Sequence, residues 1–270
     1  MSMGVTPVPH STNRVDRAAR RGGAIGVTLV VVFWWLTTGV LLAAQRSDAT
    51  RVLALVATSV LAIVGGYWIA GARTDSTPAG VTRSFFGGAM LWFWVAATLY
   101  GGWIVGVSVP APAGDISRLA LASQAIAATI YNDVLGLIVI AVAFVLSRGG
   151  TTHTGPWTVV TFWSAHQIAK LNVFAGVAHA GSEYLPPYLD HLRRYFGPEV
   201  NSPLLGLSIM VMAAAAVALV LRARRDARPA ARRQSLLLAA LIALALLEHV
   251  LLGIGTGGAL WTMFVVRGRV

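Results

Sequence analysis

Seven apolar runs, each near the length that crosses a bilayer, constrain this chain more than any other feature. They span about Ile25–Ala44, Val52–Gly71, Ser84–Val107, Leu119–Leu146, Trp157–Val177, Pro203–Leu221 and Ser235–Ile254. A hydrocarbon core about 30 Å thick takes roughly 20 helical residues. Backbone polar groups there must be satisfied within the segment, which for runs of this length means helix. The expected fold is all-α, a polytopic integral membrane bundle of about seven transmembrane helices. Composition agrees, with 56% of residues hydrophobic and 11% charged, against roughly 25% charged in a soluble domain. The fourth run is longer than a span needs, so it must tilt or extend beyond the hydrocarbon. The fifth is the weakest, because His166, Gln167, Lys170 and Asn172 interrupt it. A helix made only to fill lipid would not carry them.

The formal net charge is +11, almost all of it arginine, and Lys170 is the one lysine. With the N-terminus in the cytoplasm, thirteen arginines fall on the inner side: Arg14, Arg17, Arg20, Arg21, Arg73, Arg83, Arg148, Arg222, Arg224, Arg225, Arg228, Arg232 and Arg233. Seven fall outside: Arg46, Arg51, Arg118, Arg193, Arg194, Arg267 and Arg269. The positive-inside rule therefore favours N-in and C-out. The basic cytoplasmic loop 222–234 reads as a topology determinant attracted to anionic headgroups, not as a nucleic-acid footprint. Residues 1–22 are expected to be a disordered basic tail, 23–257 one transmembrane domain, and 258–270 a short C-terminal tail. No small-residue cleavage site follows the first apolar run, so that run reads as an uncleaved helix. Tyr67, Trp68, Tyr100, Trp103, Trp157 and Trp261 sit near run ends as an aromatic belt. Gly65–Gly66, Gly87–Gly88 and Gly101–Gly102 are expected to interrupt the second and third spans, and Gly102 and Gly106 have the spacing of close helix contact.

Polar groups inside hydrocarbon carry most of the functional information. A central Asp, Lys or Arg costs roughly 2.5–3.5 kcal/mol on insertion scales, while each Leu or Ile returns about 0.3–0.6. Asp133, Lys170 and Glu248 should therefore face the bundle interior with partners. Lys170 and Glu248 each lie thirteen residues into inside-to-outside spans, about 20 Å along their helices. Equal depth predicts a Lys170–Glu248 ion pair, with Asp133 and Asn172 in the same polar set. His249 and His166 could ligate a metal or the magnesium of a chlorophyll-like ring, although interhelical hydrogen bonding is the commoner use of a membrane histidine. His153, His179 and His191 have no metal-ligand spacing, and no phosphate loop, HExxH or nucleophile elbow occurs. The chain has no cysteine, which excludes thiolate and disulfide chemistry. Nothing in the residues demands an enzyme.

The external segment 178–202 is the most unusual stretch. Leu185, Leu189, Leu192 and Phe196 recur at helical spacing after Pro186–Pro187 and before Gly197–Pro198. Such an amphipathic segment lies at the membrane interface or docks on a partner. Glu183, Tyr184, Leu185, Pro186, Leu189, Leu192, Tyr195 and Phe196 are its candidate contact residues.

The run Ala169-Lys-Leu-Asn-Val-Phe-Ala-Gly-Val177, then Glu183-Tyr-Leu-Pro186 and Leu189 to Phe196, resembles the PuhE-type photosynthetic complex assembly proteins. Phe33-Trp-Trp-Leu-Thr-Thr-Gly39, Ala245-Leu-Leu-Glu-His-Val250 and Ala259-Leu-Trp261 resemble further elements of that family in the same order. Two places depart from its pattern: Val95-Ala-Ala97, where the family carries an acid, and Tyr131-Asn-Asp133, where it favours His-His-Glu. The resemblance implies a non-enzymatic accessory protein of the bacterial cytoplasmic or intracytoplasmic photosynthetic membrane. It would support assembly of the reaction centre–antenna complex, with those subunits as partners, through the supply of bacteriochlorophyll or transient binding of it or a precursor. The competing reading from the residues alone is a proton-coupled secondary transporter using Asp133, Lys170 and Glu248.

Overall fold

The computed structural model describes residues 12–45, 47–107 and 116–255, with side chains from residue 25 onward. Every regular element among them is helical: α1 Thr12–Ala44, α2 Asp48–Ala72, α3 Pro78–Tyr100, α4 Arg118–Ala127, α5 Ile130–Leu146, α6 Thr154–Ala175, α7 Pro203–Arg225 and α8 Pro229–Ile254. Helix α1 starts inside the segment expected to be a disordered tail, and residues 1–11 and 256–270 lie outside the described residues. Local chemistry marks the other starts. Ser47 and Thr50 form a reciprocal capping box on α2, and Thr77 accepts from the Gly80 N–H ahead of α3, which opens on Pro78. Proline cannot donate and loses nothing at a first helical turn. Pro203 and Pro229 open α7 and α8 in the same way.

Four helical stretches are long and apolar enough to cross a membrane: Ile25–Ala44, Asp48–Ala72, Pro203–Arg225 and Pro229–Ile254. A fifth is the pair α4 and α5, bent by 56°. The over-long fourth run is thus a broken helix, its break at Ala128–Thr129, where Thr129 leaves helical geometry. Helices α3 and α6 have spanning length but fall outside the apolar set. They are interior elements. One face of α3 (Val81, Phe85) joins Val30 and Trp34 of α1 and Leu237, Leu238, Leu241 and Leu244 of α8. Its other face (Leu91, Val95) joins Ile69, Val139, Ala143 and Val159 of α2, α5 and α6. A helix enclosed by helices need not be apolar on every side.

The glycines do not interrupt α2 or α3; they let helices touch. A Cβ on Gly87 would meet the Gly65 carbonyl oxygen at 2.6 Å, and one on Gly65 would meet that of Gly87 at 2.6 Å. Gly155 of α6 is similarly confined by the Ser84 carbonyl at 2.8 Å. By contrast, Gly102 and Gly106 lie beyond the end of α3, with Gly102 at φ +71°, so they do not share a helical face. Gly106 instead lets the chain pass the end of α4, where a Cβ would crowd the Ala127 carbonyl. Large apolar side chains on α2 (Leu53, Ile63) and α7 (Met210, Val211) stay exposed, a surface suited to lipid.

Loop contacts gather into two ends. At one, Thr151 and Thr152 donate backbone N–H groups to the Arg73 carbonyl, and Arg233 Nε donates to Thr82. This end carries Arg73, Arg83, Arg148, Arg222, Arg224, Arg225, Arg228, Arg232 and Arg233. At the other, Arg51, Tyr100, residues 176–202 and the end of α8 come together.

Candidate functional site

The break before α5 sets up the first cluster of charges. It places Asp133 in the first turn of α5, where the positive end of the helix dipole favours a carboxylate. Thr129 Oγ1 donates to Asp133 Oδ2 at 3.0 Å. From α6, Lys170 Nζ donates to Asp133 Oδ1 at 2.5 Å and to Thr129 Oγ1 at 3.0 Å, and Gln167 Nε2 donates to Asp133 Oδ1 at 2.8 Å. Trp163 Nε1 reaches the Asp133 carbonyl at 3.3 Å. The side chains of Lys170 and Asp133 are 27% and 14% exposed, so the pair is largely removed from solvent.

The expected Lys170–Glu248 pair is therefore corrected: the partner of Lys170 is Asp133. Equal depth was the wrong criterion. Position around the helix decides: Lys170 turns towards α5, and Glu248 turns towards α1. Glu248 instead accepts from Trp34 Nε1 of α1 at 2.6 Å. Asn172 is also apart from the charges, as two residues turn a helix by about 200°. It is fully buried, donates to Ser208 Oγ and the Ile168 carbonyl at 2.9 Å each, and ties α6 to α7.

His249 is 1% exposed, and its Nδ1–H donates to the Ala245 carbonyl at 2.7 Å. A carbonyl can only accept, so this bond places the proton on Nδ1 and leaves Nε2 as an acceptor. That Nε2 is buried without a partner, as is Nε2 of His166. The His166 ring lies 5.7 Å from Trp92, which stacks on Phe162 at 5.9 Å with an 8° interplanar angle. Among the described residues, no group of three His, Asp or Glu could hold a metal ion.

Asp133, Lys170, His166, Glu248 and His249 all line one cavity of about 760 Å³, large enough for an organic ligand. Its walls come from α1, α3, α4, α5, α6 and α8, and their largely apolar lining includes the aromatic side chains Trp34, Trp92, Phe93, Phe162 and Phe174. The residues singled out by their insertion cost thus share one interior space, although they do not all bond to one another.

The segment 178–202 closes one end of this space. Its core is the 3-10 stretch Pro187–Tyr195, in place of the expected α-helical spacing. Leu189 and Tyr195 are buried, and Glu183, Tyr184, Leu185, Leu192, Tyr195 and Phe196 line the cavity. Pro186 is buried just ahead of the 3-10 stretch. Its apolar side chains are used on the chain's own bundle. Arg51 of α2 clamps it: the guanidinium lies 3.8 Å from the Tyr188 ring centroid and 5.2 Å from that of Trp103, and donates to the Gly101 carbonyl. Tyr188 also donates to the Tyr100 carbonyl at 2.8 Å, and desolvation raises its phenol pKa.

Some participants escaped the sequence reading. Thr129 and Gln167 were within reach of it, since each shares a helical face with Asp133 or Lys170 at three or four residues' spacing. Asn132 is 2% exposed and donates to the Val95 carbonyl at 3.1 Å and Thr98 Oγ1 at 3.2 Å, joining α5 to α3. Trp34 stands in the Phe33–Gly39 motif, but nothing local pointed to Glu248, its partner 214 residues away.

The fold and site define an all-helical membrane protein in which the helix charges Asp133, Lys170 and Glu248 line one largely apolar cavity. The chain belongs to the family described as "Protein of unknown function (DUF3623)", which matches residues 23–267. It is 28% identical over 229 residues to the "Uncharacterized 30.4 kDa protein in puhA 5'region" of Rhodobacter capsulatus, covering 83% of this chain and 84% of that one. No solved structure matches the chain.

Proposed function

We propose that this protein is a non-enzymatic accessory protein of a photosynthetic membrane, one that supports assembly of the reaction centre–antenna complex as the PuhE-type proteins it resembles do. One observation carries the reading. The relative from Rhodobacter capsulatus is named for its place in the 5' region of puhA, a photosynthesis gene. The order of matching motifs from Phe33 to Glu248 adds to it.

In this reading the chain crosses the bacterial cytoplasmic or intracytoplasmic membrane seven times, N-in and C-out, with α3 and α6 as enclosed spans. Support comes from the collection of nine arginines at one end of the bundle, as the positive-inside rule requires of a cytoplasmic face. The protein acts on bacteriochlorophyll supply or delivery. The chemistry of its donors fits a transient ring-magnesium ligand, since neutral His249 holds its proton on Nδ1 and keeps Nε2 unpartnered. Reaction-centre or antenna subunits are the partners.

Deleting the gene in a phototrophic host and recording the near-infrared absorption spectrum tests the reading. Reduced reaction-centre and antenna bands are expected, restored by the gene in trans. Bands unchanged across phototrophic growth conditions would sink it.

A further inference from the structure

The electrostatics of the cavity run against those of the chain. A molecule of net charge +11 encloses a cavity whose described lining contains no arginine. Its charged residues are Asp133, Glu183, Glu248 and Lys170. Lys170 is committed to Asp133. No ion pair to Glu183 or Glu248 occurs among the described residues, and Glu248, with surface open to the cavity, receives only the indole N–H. His249 also lines the cavity, and its buried Nε2 is an acceptor without a donor among the described residues. A carboxylate held in apolar surroundings is stabilised by a cation with hydrogens to donate. Trp92, Phe93 and Phe162 on the walls of the same cavity add aromatic rings that attract such a cation.

We propose that this cavity binds a protonated organic amine on a flat apolar body, with Glu248 taking the ammonium group. His249 Nε2 is a further acceptor on the cavity wall, the apolar and aromatic walls hold the body, and Glu183, within the closing segment 178–202, adds negative charge. The proposal needs no photosynthetic role, since it rests on the cavity alone.

Titration calorimetry of the purified full chain in mild detergent tests it with two probes of one shape, 4-phenylbenzylamine and uncharged 4-phenylbenzyl alcohol. Wild type should bind the amine at least tenfold more tightly than the alcohol. Glu248→Gln should abolish that preference, Glu248→Asp should keep most of it, and Glu183→Gln should reduce it less. Ala96→Phe, which narrows the cavity and leaves every charge in place, should weaken binding of both probes. Equal binding of the two probes by wild type would overturn the proposal, as would a preference that survives Glu248→Gln. Should Glu248→Gln fail to fold, amine binding unchanged by Ala96→Phe overturns it equally.

Discussion

At the scale of single residues, the interior carboxylates are held in two different ways. Asp133 has a cation and two further donors, whereas Glu248 has one indole N–H. Breaking a buried ion pair from one side leaves an uncompensated charge, at about 3 kcal/mol. Lys170→Met and Asp133→Leu should each destabilise by about that amount in denaturant unfolding in detergent, and the double substitution should recover most of it. Exchanging the residues at 133 and 170 should likewise recover stability, whereas exchanging those at 170 and 248 should not. Rescue by the second exchange alone would restore the pair that depth suggested. Outside the spans, Asp75 organises the turn before α3, accepting from the Thr77 hydroxyl at 2.6 Å and its backbone N–H at 3.0 Å. The Thr77 side-chain bond chiefly, then the backbone bond, lowers its pKa below the ordinary 3.8. A lowered carboxyl pKa adds stability above 3.8 that is lost as pH falls through the folded value. Wild type should therefore melt a few degrees above Asp75→Asn at neutral pH, and the two curves should converge below about pH 3.8.

At the scale of elements, small residues and buried amides hold the bundle together. The crossing of α2 and α3 depends on Gly65 and Gly87 lying backbone to backbone. Gly87→Val should cost about 2 kcal/mol by overpacking, seen as a lower unfolding midpoint. Gly206 of α7, where a Cβ would meet nothing within 4 Å, is the control, and Gly206→Ala should leave the midpoint unchanged or raise it. Both substitutions raise helix propensity, so equal losses at the two positions would mean that the α2–α3 crossing is not what Gly87→Val disturbs. Asn132 and Asn172 do the same work with hydrogen bonds, joining α5 to α3 and α6 to α7. Such bonds between helices in a membrane average about 0.6 kcal/mol, so they orient the helices more than they stabilise them.

At the scale of the whole molecule, the two ends differ in charge, and an orientation follows. The chain has no cysteine, so single-cysteine variants report their side of the membrane without background. In right-side-out cells, Asp190→Cys should react with a membrane-impermeant maleimide and Ala227→Cys only after lysis. The opposite pattern would reverse the proposed N-in orientation. The bundle also explains why α6 reads so differently from its neighbours. A central helix trades apolarity for close packing and for polar side chains that other helices satisfy.

The apolar runs and the unusual cost of Asp133, Lys170 and Glu248 were legible in the sequence, and the Pro and Ser/Thr helix starts are written in it as well. Periodicity, capping and insertion cost are local properties. Who bonds to whom was not. Lys170 to Asp133, Trp34 to Glu248 and Asn172 to Ser208 depend on how each helix is rotated about its axis, and packing of distant segments sets that rotation. The segment 178–202 shows the same division. Its amphipathic stripe was plain from Leu185, Leu189, Leu192 and Phe196, but its 3-10 form and its seat under the Arg51 clamp required the tertiary structure. Only the folded bundle could decide that the costly charges share one cavity, because depth along a helix is written in sequence and direction around it is set by neighbours.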